Sequence, residues 1–279
     1  MFGRERIELK TPDQVRVMRR AGLVVADALD AVRSAVRPGL TTRDLDTIAA
    51  EAIRSAGATP SFLGYMDYPA TICVSVNEEV VHGIPGDRVL APGDVVSIDC
   101  GAIVEGWHGD SAITVVLPEA DPADVALSDI TERAMWAAIA SLATSERLTA
   151  VGDAVEDVVE AAHADGAGPL LGIVQDYVGH GIGSAMHLPP DVPNYRTRQR
   201  GPRLRPGMCV AIEPMLVRGD QHTRVLADDW TVVTEDGSRA SHWEHTVAIL
   251  EDGIWVLTAP DGGAAWLAEL GVTVAPLDS

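Results

Sequence analysis

No stretch of this chain is long and apolar enough to span a bilayer. The opening residues Met1-Phe2-Gly3-Arg4-Glu5-Arg6 carry charge and lead into no apolar segment of a secretion signal. A soluble, cytoplasmic protein with no membrane association is the resulting expectation. Cysteine is scarce: Cys73, Cys100 and Cys209 are the three, each within an apolar, strand-like segment and none in a CxxC pair. That pattern describes reduced core thiols and excludes a disulfide scaffold. Basic residues are outnumbered, 21 Lys and Arg against 41 Asp and Glu, and the net charge of −20 argues against general affinity for nucleic acid. One exception crowds Arg196, Arg198, Arg200, Arg203 and Arg205 into residues 196–205. It reads as a solvated loop, with contact to an anionic partner such as ribosomal RNA as the sharper alternative. What remains is ordinary for a globular chain: 279 residues, 47% hydrophobic and 22% charged, enough for one sizeable core and one domain over residues 1–279.

The stretch that organises the chain runs from Val95 to Asp110. Pro92-Gly93 is a turn signal, after which Val96 and Ile98 face one way and Val95, Ser97 and Asp99 the other. Glu105-Gly106 reads as a tight reversal. With a two-residue turn there, Asp110 stands opposite Gly101, on the same face as Asp99 and one diagonal step away. Two carboxylates that close repel unless a proton or cation lies between them. A three-residue turn would instead put them on opposite faces, leaving a turn residue and a solvated edge charge. Residues 206–213, Pro-Gly-Met-Cys-Val-Ala-Ile-Glu, repeat the pattern of residues 92–99, Pro-Gly-Asp-Val-Val-Ser-Ile-Asp. Both strands open on Pro-Gly and run into an acid, the mark of an internal duplication that brings carboxylates from two half-domains to one centre.

The order of elements supports this. Thr11-Pro12-Asp13 starts a helix whose apolar stripe runs from Val15 to Val36 and stops at Pro38-Gly39. A second helix runs from about Thr42 to Gly57, a loop covers residues 58–69, and a strand is predicted at 70–76. After the hairpin the sequence repeats itself: a long Ala-rich helix from Asp121-Pro122 to about Ser145, a shorter one over 151–164 stopped at Gly166–Pro169, then strands at 173–178, 208–217, 230–235 and 245–250. Each half, about 11–118 and 119–250, lays two helices against antiparallel strands, giving an α+β fold with pseudo-twofold symmetry. The tail from Pro260 is expected to be peripheral.

Further along, Gly179-His180-Gly181-Ile182-Gly183 and His187 form a glycine-flanked histidine run that no helix follows, so it is not a nucleotide-binding loop. His82 sits on a turn, and Glu244 begins an apolar strand. Asp99, Asp110, His180, Glu213 and Glu244 together offer hard oxygen donors and one imidazole. That set suits a pair of divalent ions such as Mn, Co, Fe or Zn and suits Cys-rich structural zinc poorly.

These residues closely resemble the methionine aminopeptidases of the first type, from about residue 11 to residue 250. The motifs that carry the resemblance are Asn77-Glu78-Glu79-Val80-Val81-His82-Gly83-Ile84-Pro85, Asp99 with Gly106-Trp107-His108-Gly109-Asp110, Gly179–Gly183 with His187, Ile212-Glu213-Pro214-Met215, and Glu244-His245-Thr246. The resemblance implies the pita-bread fold and removal of the initiator methionine from nascent chains with a small second residue. It implies that Asp110 and Glu244 bridge two ions, that Asp99 completes one, and that His180 with Glu213 completes the other. Hydroxide made available by the ions attacks the first peptide bond, Glu213 shuttles the proton, His187 binds the scissile carbonyl, and His82 contacts the next amide. The methionine pocket corresponds to Tyr65, Tyr68, Cys73 and Trp230. Departures stand at Phe62, where a small Cys is common, and at Met186, where an aromatic is usual, as if the aromatic had moved between pocket walls. His242 stands where Gln is usual. Xaa-Pro aminopeptidases share the ligands but usually carry a large N-terminal domain, and His82 comes too early to leave room for one. The interval from Glu213 to Glu244 is too short for the helical insert of the second type. Non-catalytic ribosome- or RNA-binding relatives have lost ligands. A monomer is expected, and Phe2, being large, predicts that the chain keeps its own Met1.

Overall fold

The computed structural model describes residues 6–164, 170–275 and 277. The helix stop at 166–169, Met1 and Phe2, and the last residues of the tail lie outside that set. Helix α1, Pro12–Ala35, begins with a capping box in which Thr11 and Gln14 satisfy each other's backbone N–H groups. Helix α2, Thr42–Ser55, begins the same way with Thr41 and Asp44. Helices α3, Pro122–Thr144, and α4, Ala150–Ala164, follow, with Asp121 capping α3. All four lie within a residue or three of the expected bounds.

Nine of the strands form one large antiparallel sheet, and the others make two three-stranded sheets, one of Gly172–Ile173, Met215–Val217 and Ala240–His242, the other of Glu79–Val81, Thr223–Val225 and Val232–Thr234. The order of the large sheet runs from Thr59–Pro60 through Val95–Val104, Trp107–Val116, Glu244–Leu250, Cys209–Ile212 and Gly179–Gly181 to Leu188–Val192, with Ile72–Val76 and Gly253–Val256 pairing off that path. The two half-domain hairpins therefore meet at the middle, where Glu244 faces Ala112. Helices pack on one face of the sheet, α1 on the first hairpin and α3 across the second. The core beneath them includes Val25, Val32, Leu45, Ile72, Ile98, Met135, Ile139 and Val247. At Gly22 and Gly109 helix and strand touch backbone to backbone: a Cβ on Gly109 would stand 2.7 Å from the Gly22 nitrogen.

The duplication extends to register. Gly93 and Gly207 open their strands with φ of 82° and 88°. Asp99 pairs with Ala112 and Gly101 with Asp110 in the first hairpin; Cys209 pairs with Ala248 and Met215 with His242 in the second. Extending that second ladder places Glu213 across from Glu244.

Several expectations need correction. The strand predicted at 208–217 is two, Cys209–Ile212 and Met215–Val217, because Pro214 has no N–H to give the ladder. Of the predicted 173–178 segment only Ile173 lies in a strand, Gly172–Ile173. The 230–235 strand shrinks to Val232–Thr234. The tail is not wholly peripheral: helix α5, Ala264–Glu269, buries Leu267 in the core and stacks Trp266 on Trp136 at 5.7 Å.

Candidate active site

The turn between Val104 and Trp107 is two residues long, with Glu105 at φ 50° and Gly106 at φ 82°, the left-handed pair that a tight hairpin requires. Asp110 accordingly lies opposite Gly101, on the face that carries Asp99. Cys73 flanks Asp99 on one side and Ala112 on the other, and Glu244 follows beyond Ala112. Strand alternation then settles which way each acid points. Gly109 and His245, the neighbours of Asp110 and Glu244, face the helices; His245 packs its ring 5.0 Å from that of Trp136. The acids face the other way. Thr246 ties the two halves at this point, since its hydroxyl accepts from the Asp110 N–H at 3.1 Å and donates to the Asp110 carbonyl at 2.8 Å.

His180 reaches the same place from Gly179–Gly181. Its flanking glycines are steric necessities: a Cβ on Gly179 would lie 2.4 Å from the Ala211 carbonyl and one on Gly181 2.3 Å from that of Pro189. The His180 Nδ1 lies 3.0 Å from the Gly181 carbonyl, which can only accept, so the proton is on Nδ1 and the Nε2 lone pair is free. That lone pair stands 3.3 Å from Glu213 Oε1. The register shifts between His180 and Gly181, and this break lets His187 turn back until the two imidazoles are 4.4 Å apart. Tyr65 holds His187 through a 2.9 Å contact between its hydroxyl and Nδ1. His82 occupies a left-handed position, φ 60°, edge-on to Tyr177 and Trp230.

Electrostatically the centre is unbalanced. Burial, with added repulsion from Glu213, pushes Asp99 up to about 7, and burial pushes Glu213 to about 8. Asp110 and Glu244 are also raised well above the ordinary carboxylate range, by burial first and by the neighbouring acids second. Burial lowers His180 to about 3 and His82 to about 4, so both are neutral bases at physiological pH. One oxygen each of Asp99, Asp110, Glu213 and Glu244 is buried without a hydrogen-bond partner among the described residues. Donor atoms of Asp110, His180 and Glu244 all lie within 4.8 Å of one another. Orphaned carboxylate oxygens converging with a free imidazole lone pair fit divalent cations, which would satisfy every one of them.

Beside the acids opens a cavity of about 250 Å³ whose lining takes in every expected ligand, catalytic and pocket residue: Phe62, Tyr65, Tyr68, Cys73, His82, Asp99, Asp110, His180, Met186, His187, Glu213, Trp230 and Glu244. Phe62 meets Tyr68 edge-on at 6.4 Å, and Tyr68 meets Trp230 at 4.9 Å. Tyr68 is anchored by donating toward the Ile72 and Gly83 carbonyls, each 3.1 Å away. Burial pushes the Cys73 thiol well up, making it a neutral wall and not a nucleophile. Sequence reasoning missed Met66 on the rim and Tyr177 beside His82. Nothing in the sequence marks Met66; Tyr177 was hidden by the strand predicted over it. Away from the site, Arg196 is engaged by Glu156, Asp157 and Glu160 of α4, and Arg203 pairs with Glu146.

A curled antiparallel sheet with helices on one face and buried acids converging on the other is the layout of a pita-bread metallopeptidase. The chain belongs to metallopeptidase family M24, whose profile matches residues 16–251. It is 51% identical over 257 residues to methionine aminopeptidase 1 of Mycobacterium tuberculosis, covering 92% of this chain and 96% of that protein. It is 44% identical to methionine aminopeptidase 1 of Bacillus subtilis over 89% of this chain and 98% of that one. Among solved structures, the methionine aminopeptidase of Thermotoga maritima superposes with a TM-score of 0.86 at 41% identity, covering 91% of this chain and 99% of its own. The prolidase of Pyrococcus furiosus shares the fold at a TM-score of 0.69 and 19% identity, but this chain spans only 65% of it.

Proposed function

We propose that this chain removes the N-terminal methionine from nascent polypeptides with a small second residue, by hydrolysis of the first peptide bond. The observation that carries the reading is the single cavity in which four buried acids and His180 adjoin an apolar pocket. Asp99, Asp110, His180, Glu213 and Glu244 are the residues to hold two divalent ions, drawn from Co, Mn, Fe or Zn. Such ions, when bound, supply an activated water and polarise a carbonyl.

The remaining chemistry belongs to the chain. Phe62, Tyr65, Tyr68, Cys73, Met186 and Trp230 surround the methionine side chain, and the aromatic shift from residue 186 to Phe62 keeps that pocket filled. Tyr65 fixes the orientation of His187 toward the scissile carbonyl. His82, held at a left-handed backbone position, faces the following amide. Glu213 passes a proton from the attacking water to the leaving amine, its carboxyl held up to about 8 by burial and so able to take and release a proton near neutral pH.

The substrate partner is the nascent chain N-terminus, and the setting is the cytoplasm, with the enzyme a monomer. Ribosome contact through residues 196–205 would have to use arginines other than Arg196, which α4 neutralises. The test is release of methionine from Met-Ala-Ser beside cleavage of Ala-Pro, with and without chelator. Chelator-sensitive methionine release alone supports the reading. Cleavage of Ala-Pro alone, or activity indifferent to chelation, overturns it.

A further inference from the structure

His242 is a buried imidazole that the proposed chemistry leaves unused. It ends the strand Ala240–His242 and pairs with Met215. That is the second-half counterpart of the position Asp110 takes opposite Gly101. The first half thus places a candidate ligand at this point of the hairpin, and the second half places a histidine there.

Its side chain is aimed inward. The residue is 2% exposed, and Nε2 has no hydrogen-bond partner among the described residues. Glu213 Oε2 is 3.7 Å away, beyond hydrogen-bond reach. On the other oxygen of the same carboxylate His180 Nε2 stands at 3.3 Å. Two donors that share one ion, each about 2.0–2.2 Å from it, lie about 3–4 Å apart, so both imidazoles are at a sharing distance from Glu213. The His242 backbone is fastened to the first hairpin: its N–H donates to Ser97 Oγ at 3.2 Å and Thr114 Oγ1 at 3.1 Å, and its carbonyl accepts from Thr114 at 2.8 Å. A second cavity, about 360 Å³, is lined by His242 together with Asp99, His180 and Glu213.

We infer that His242 is a sixth donor of the metal centre, supplying a second imidazole across Glu213 from His180. The inference rests on the metallopeptidase reading above. A second nitrogen donor moves the preference of the site from Mn toward Co and Zn, which gain most from imidazole.

The experiment is X-ray absorption spectroscopy on the full chain, loaded with two equivalents of Co(II), with imidazole scattering counted per ion. Two imidazoles per pair of ions are expected. One per pair overturns the inference and leaves the metallopeptidase reading intact; failure to bind cobalt overturns both. His242→Gln should then halve the imidazole count and weaken Zn and Co binding about tenfold in competition with a chelator, with Mn affected least. Unchanged Zn and Co affinity in that variant also overturns the inference, and the wild-type spectrum decides the matter if the variant does not fold.

Discussion

The two hairpins that meet at the centre of the sheet are the same ladder put to different uses. The first, Val95–Val104 with Trp107–Val116, is unbroken and closes in two residues. The second breaks at Pro214, and in place of the two-residue turn it sends out residues 218–239, closed at the base by an N–H from Arg218 to the Arg239 carbonyl at 2.8 Å. That excursion pairs Val232–Thr234 with Glu79–Val81 of the first half and delivers Trp230 to the pocket. Their helix-side packing differs too: the first half lets backbones touch at Gly22 and Gly109, whereas the second fills the space with Trp136 against His245. One copy keeps geometry, and the other trades regularity for reach.

The largest effect should come from breaking the equivalence at its acids. Asp99→Asn and Glu213→Gln should each lower kcat/KM by about a thousandfold or more and reduce bound metal measured by elemental analysis. If either stays within about tenfold of wild type, the halves are not equal partners. Chelated protein should next show what the acids cost when unshielded. Asp99 and Glu213 have folded values of about 7 and about 8, above their ordinary range. The folded state therefore holds extra protons, and stability is lost as pH rises through those values. Urea midpoints of the chelated chain should fall between about pH 5 and 8, and added metal should flatten the trend. A flat profile for chelated protein would contradict the unbalanced charge described for the centre.

Gly109→Ala should lower unfolding free energy by about 3 kcal/mol, because the new Cβ meets helix backbone that cannot move aside. A loss under about 1 kcal/mol would show that α1 can slide. Smaller again, Phe62→Ala and Trp230→Ala should each cut kcat/KM on Met-Ala-Ser about tenfold, mostly through KM, since each removes one wall of the pocket. Unchanged activity in Phe62→Ala would remove the idea of a displaced aromatic. Arg196→Ala, at an exposed ion cluster, should leave the urea midpoint nearly unchanged, since solvent screens its partners.

Much of this was legible in the sequence where local chemistry decides the outcome. Thr11-Pro12 and Asp121-Pro122 mark two helix starts, and its apolar stripe places the second helix near Thr42. The pair Glu105-Gly106 marks the reversal, but only the ladder register decides for the two-residue turn that puts Asp99 and Asp110 on one face. The break at Pro214 was also written in the chain, but the apolar run across it suggested continuity. What was not legible depends on distant partners. The excursion over residues 218–239 gains its place only from Glu79–Val81, and helix α5 only from the Trp136 surface it covers. The correspondence of His242 with Asp110 appears once both ladders have a register, which no window of sequence contains.

Cys73 and Asp99 are directly opposed across two neighbouring strands. Under the proposed function, the pocket wall and a metal-holding acid are therefore marks on one ruler. A slip of one residue in that pairing would turn Cys73 away and shift the pocket wall against Asp99 in a single event. On that reading, selectivity and turnover have no independent adjustment at this seam, and variation in substrate preference enters through pocket positions off it, such as residues 62, 66 and 186.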